Sequence, residues 1–98
     1  MLSTSQSLQI MQSSLDNLFQ AGMLDERVTI DLETPLFGEG STLDSMGFVT
    51  FVTEVEERVI ELVNKDIFIV LSDIEELYPN EPSLNVSMFS SYLQSITS

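Results

Sequence analysis

Gly40-Ser41-Thr42-Leu43-Asp44-Ser45-Met46-Gly47-Phe48-Val49 is the stretch on which the reading of this chain turns, because an acidic loop ends there and an amphipathic helix begins. Projected at about 100° per residue, Phe48, Val49, Val52, Val55, Val59, Leu62 and Val63 gather into one broad stripe, the expected core face. Met46, Thr50, Thr53, Glu54, Glu57 and Glu61 fall on the opposite side, an apolar head followed by an acidic ridge. Asp or Ser before such a run is ordinarily an N-cap, its side-chain oxygen accepting an early backbone N–H. The junction also suits an attachment point, since an accessible serine hydroxyl can carry a group that another protein installs. The glutamates have a plain reading as a solvated face, with Glu54–Arg58 and Glu61–Lys65 as i,i+4 pairs worth about 0.2–0.5 kcal/mol each.

Outward from this helix, the pattern predicts three more. Leu8, Met11, Leu15, Leu18 and Phe19 recur at spacings of three and four from Ser5 onward, a first helix ending near Gly22. Residues 23–44 have no sustained period and read as a long acidic loop, with Val28, Ile30, Leu32, Leu36 and Phe37 available to pin it to the core. The alternation at 28, 30 and 32 allows a short extended segment there. Asn64-Lys65-Asp66 ends the second helix, and Ile67-Phe68-Ile69-Val70-Leu71 reads as a short extended segment or as buried irregular chain, the latter preferred. Ser72 and Glu75 have capping-box spacing for a short third helix limited by Pro79. Asn85 is the expected N-cap of a last helix carrying Val86, Phe89, Leu93 and Ile96. The expected architecture is therefore all-α: one domain over 1–98, a small four-helix bundle with a long loop between the first two helices and a short third. The serine-rich ends are expected to fray.

Composition narrows the function. The 98 residues suffice for one small core, and 16 acidic against 3 basic side chains give a net charge of −13. That charge repels nucleic acid and anionic membranes and attracts proteins with basic surfaces. No apolar run approaches the roughly 20 residues needed to span a bilayer, and the first residues lack the basic and apolar regions of a signal peptide, so a cytoplasmic location is the default expectation. The sequence contains no Cys and no His, which removes the usual nucleophile–base pairs and disfavours an enzyme. Any thiol chemistry would need a thiol brought from elsewhere.

Four helices, the long first loop and Asp-Ser at the start of the second helix resemble the acyl carrier protein family, including the related peptidyl carrier domains. The resemblance spans nearly the whole chain and is sharpest at Leu43-Asp44-Ser45-Met46, similar to the family's Asp-Ser-Leu attachment motif, followed by Val55-Glu56-Glu57-Arg58 in an acidic helix. It implies a phosphopantetheine arm, donated from coenzyme A by a phosphopantetheinyl transferase and esterified to Ser45, whose thiol holds an acyl or related group as a thioester. A phosphate at that position is physically sensible, because unpaired N–H groups and the positive dipole end favour an anion at a helix start. The resemblance nominates Asp44, Met46, Glu56 and Glu57 as contacts for acyl-loading and acyl-processing enzymes with basic docking patches. It also implies a monomer that performs no catalysis itself. The last helix and the core side of the second would shelter part of the cargo, with Val49, Val52, Val59, Ile69 and Met88 as candidate lining residues.

Departures from the family pattern bear on partners and cargo. Thr50 and Thr53 stand where many fatty-acid carriers have an acidic and a bulky apolar residue, the second helix is about one turn longer than usual, and Pro82 falls in the link to the last helix. A specialised carrier, in lipid, polyketide or nonribosomal peptide synthesis, is thus as well supported as one of general fatty-acid synthesis. Two rivals come from other classes. An acidic helical interaction module keeps the partner surface and drops the prosthetic group. A calcium-binding domain lacks its loop, since neither 31–45 nor 66–76 has the ligand spacing around a central glycine.

Overall fold

The chain first commits itself at Ser3, whose side chain accepts from the Gln6 N–H while Gln6 reaches back to the Ser3 N–H, a reciprocal capping box. In this computed structural model, which describes residues 2–24, 26–38, 43–77 and 83–97 apart from the side chains of Ser45, Leu71, Glu75, Leu77 and Ser83, that box opens helix α1, Thr4–Gln20. The far end closes at Gly22, whose φ of 82° lets the Gly22 and Met23 amides reach back to the Phe19 and Leu18 carbonyls. A side chain at that backbone angle would be strained, which is why glycine stands there.

After α1 come strand β1 (Pro35–Gly38), helix α2 (Ser45–Val63), helix α3 (Leu71–Leu77), strand β2 (Ser83–Asn85) and helix α4 (Val86–Thr97). The described residues are thus mostly helical, with one two-stranded antiparallel ribbon. The mainly helical expectation with four helices is met, and the ribbon is an addition to it: the extended part of the first loop is 35–38, not 28–32, and it pairs with the segment leading into α4. Strands this short carry no hydrophobic period of their own, so only their partner reveals them. Pro35 tolerates the ribbon because it occupies the first position of an edge strand, and the bulge between Pro35 and Phe37 aims Leu36 into the core.

The loop before the ribbon is pinned as expected, by an unexpected device. Gln12 on α1 donates to the Val28 carbonyl and accepts from the Ile30 N–H, standing in for a strand edge. Val28 and Ile30 pack against the core while Leu32 is exposed. The carbonyls of Thr34 and Leu32 then accept from the Val86 and Ser87 amides, and Asn85 Oδ1 from that of Met88. Three early amides of α4 are satisfied in this way, two by the loop and one by the expected cap.

The core joins Met11, Leu15 and Leu18 of α1, Phe48, Phe51, Val52, Val55 and Val59 of α2, and Val86, Phe89, Tyr92 and Leu93 of α4. Its aromatic rings form a series from Phe37 through Phe48, Phe51 and Phe89 to Tyr92, with successive centroids 4.8, 6.3, 5.8 and 6.3 Å apart. The radius of gyration, 12.5 Å, matches the roughly 13 Å expected of a compact chain of about 100 residues. The described ends are not frayed: Leu2 is buried, its N–H donates to Thr97 Oγ1, and Gln94 bonds Thr4. Helix α3 begins at Leu71, one residue before Ser72, so Ser72 lies inside the first turn instead of capping it. Pro79 and Pro82 lie outside the described residues.

Candidate functional site

Ser45 is the first residue of α2, and Asp44 is its N-cap. Asp44 sits in extended backbone, φ −84° and ψ −176°, which turns its carboxylate back over the helix. There Oδ1 accepts the Gly47 N–H at 2.6 Å, while the Asp44 carbonyl accepts from Phe48 at 2.8 Å. Capping therefore belongs to the aspartate, and Ser45 follows it as the first helical residue. Leu43 and Phe48, flanking the cap at hydrophobic-staple spacing, are both buried and fix the angle at which the loop enters the helix.

Gly47 is a site residue that sequence reasoning passed over. A Cβ there would lie 3.0 Å from Asp44 Oδ1 and 3.5 Å from a Leu43 methyl. Absence of a side chain is what lets the cap close down over the first turn. The signal was present in the Asp-Ser-Met-Gly order, but only the cap geometry shows its use.

The solvent face of α2 starts with Met46, 77% exposed, and Val49, 53% exposed. Thr50 and Thr53 follow, each donating its hydroxyl to the carbonyl four residues earlier, so their protons are turned inward along the helix. Glu57 and Glu61 complete the ridge, exposed. Val49 was expected in the core stripe and Leu62 with it; both are half exposed, and Phe51 takes the buried position instead. Nearby, Phe37 of β1 lays its half-exposed ring against Phe48, adding apolar surface beside the start of α2.

Not all the acidic residues stay on this ridge. Glu54 pairs with Arg58 one turn on, as expected. Glu61 and Lys65 form no ion pair, because the helix ends at Val63 and Asn64, in left-handed conformation with φ 55°, turns the chain away before Lys65. Glu56, nominated with Glu57 as a partner contact, is half-buried and accepts the Ile69 N–H through Oε2 at 2.8 Å. The structure thus brings Asp44, Met46 and Glu57 onto exposed surface along α2 and gives Glu56 an intramolecular bond. Of the candidate cargo-lining residues, Val52 and Val59 are buried, Ile69 and Met88 are partly buried, and Val49 faces solvent.

Among the described residues, no group of three or more acidic side chains is placed to hold a metal ion, and no helix is long and apolar enough to cross a membrane. No family model, curated protein or solved structure matches the chain.

Proposed function

We propose that this protein is a carrier of the acyl carrier protein type, a small four-helix bundle that bears a phosphopantetheine arm on Ser45. The observation that carries the reading is the order of residues at the start of α2: Asp44 caps the helix, and Ser45 follows it as the first helical residue. A phosphodiester there would meet the positive end of a 19-residue helix. The arm's thiol would hold cargo as a thioester, and the chain would present that cargo to other enzymes without catalysis of its own. Partners with basic patches would be steered by the net charge of −13 and gripped at Met46 and Val49, with Glu57 and Glu61 further along the ridge.

Intact-mass spectrometry before and after incubation with coenzyme A and a promiscuous phosphopantetheinyl transferase tests this directly. The wild type is expected to gain one phosphopantetheine and Ser45→Ala none. A folded, initially unmodified protein that gains nothing with several transferases would leave the exposed Met46–Glu61 ridge as the surface of an acidic interaction module.

A further inference from the structure

The chain is strongly acidic, yet one stretch of it balances. Two of its three basic residues stand near the end of α2, in the order Glu54, Arg58, Glu61, Lys65. Helical spacings of four and three put Glu54, Arg58 and Glu61 on one flank of α2, with Lys65 just past the helix end. The order of signs, minus, plus, minus, plus, inverts when the stretch is reversed. Arg58 and Glu54 are paired, but both described bonds of Arg58 use Nη1, and a guanidinium carries five N–H donors. Glu61 and Lys65 are exposed and enter no ion pair among the described residues. This flank borders a groove of about 510 Å³ lined by the uncharged Gln6, Gln9 and Ser13 of α1 and by Arg58, Glu61 and Leu62 of α2. Helix α1 itself carries one charged residue, Asp16, already bonded by Gln12 and close to Arg27. The net charge of −13 is therefore concentrated away from this face.

We propose that this flank is the contact face of a homodimer, in which the α2 helices of two copies cross antiparallel about a two-fold axis beside Val59 and Ile60. Such an axis brings residue i of one copy to residue j of the other, and j to i. Arg58 then meets Glu61 of the second copy, Glu54 meets Lys65, and each pair occurs twice, always with opposite signs. Parallel helices in register would set like charges together, so the sequence selects the antiparallel crossing. Two chains of this charge repel over most of their surfaces, whereas here the charges alternate to match. Leu62, 50% exposed, lies in the same face, so the contact also removes apolar surface from water. The dimer shares Glu61 with the docking ridge but keeps clear of Met46, Val49 and Ser45, the last about 20 Å along α2 from Arg58. It does not depend on the carrier reading.

Sedimentation equilibrium of the unmodified full chain at about 0.15 M salt tests the dimer, with Arg58→Glu and Glu61→Arg examined singly and mixed. The chain has no Cys, so no disulfide can imitate the association. Wild type is expected to dimerise with a dissociation constant below about 1 mM. Each single variant sets like charges opposite each other across the axis and is expected to weaken self-association at least about tenfold. Mixing the two variants should restore it to within about threefold of wild type, because one copy then carries only acidic and the other only basic groups at both positions. Glu61→Arg separates this contact from a general effect of charge, since it makes the chain less negative; self-association as strong as that of wild type, or stronger, would overturn the proposal. A wild type that stays monomeric up to about 1 mM, or a mixture no tighter than either variant alone, would overturn it too. Circular dichroism checks that the variants are folded, and should Arg58→Glu fail to fold, Glu61→Arg by itself decides. Ser45 stays unmodified throughout, so a failed transferase reaction and a failed dimer are separable.

Discussion

The Ser7 hydroxyl is fully buried and has no hydrogen-bond partner, and desolvating such a group costs about 1–3 kcal/mol. Ser7→Ala removes it and adds no bulk. The variant is expected to melt several degrees higher by circular dichroism, since about 1 kcal/mol shifts a domain of this size by about 4–8 °C. An unchanged or lower melting temperature would mean that the hydroxyl is satisfied by an internal water. Phe51 and Val49 give a second contrast, because Phe51 is completely buried and Val49 half exposed on the same helix. Phe51→Ala is expected to cost about 3–5 kcal/mol in urea unfolding, and Val49→Ala less than about 0.5 kcal/mol. Equal effects would contradict the orientation of α2.

Caps divide the helices into those that start by their own chemistry and those that start by contact. Asp44 and Asn85 each accept an amide three residues on, from Gly47 and Met88. Asp44→Ala and Asn85→Ala should each lower stability by about 0.5–2 kcal/mol, measured by thermal or urea unfolding. Ser45→Ala should leave stability within about 0.5 kcal/mol, which makes it a clean control for the modification experiment. A loss as large as that of Asp44→Ala would show that Ser45 has a capping role after all. Helix α3 is the contrary case: Ser72 and Glu75 have the right spacing for a cap, yet the helix starts earlier, at Leu71. The connection from α2 places its start, with the Val70 carbonyl accepting from the Asp73 amide and the Val70 amide donating to the Tyr92 hydroxyl.

Charge acts on the chain as a unit. With net charge −13 and only Arg27 and Arg58 engaged in ion pairs among the described residues, the folded state concentrates its own repulsion. Salt screens that repulsion over about 10 Å at 0.1 M, so the melting temperature should climb as sodium chloride rises from about 20 to about 200 mM. Magnesium should act at lower concentration through its double charge. A melting temperature flat across both series would show that self-repulsion contributes nothing to stability.

Much of the fold was legible in the sequence because helices announce themselves locally. The 3.6-residue period gave the three long helices and a capping-box spacing the short third, and Gly22, Asp44 and Asn85 marked ends that the structure keeps. Asp44-Ser45 at the head of α2 was legible for the same reason, since a cap and its helix lie within a few residues. What the sequence could not supply depended on partners far away along the chain. The pairing of 35–38 with 83–85 and the tie between Leu2 and Thr97 have no local signature. Nor does the choice of Phe51 over Val49 for the core, which turns on which side of α2 the aromatic residues of α4 approach. Glu56 shows the difference most sharply: the resemblance nominated it as a partner contact, and only the return of the chain at Ile69 gives its carboxylate a bond within the molecule. The start of α3 apart, local backbone chemistry decided where the helices begin and end; long-range packing decided which of their side chains remain free to meet another molecule.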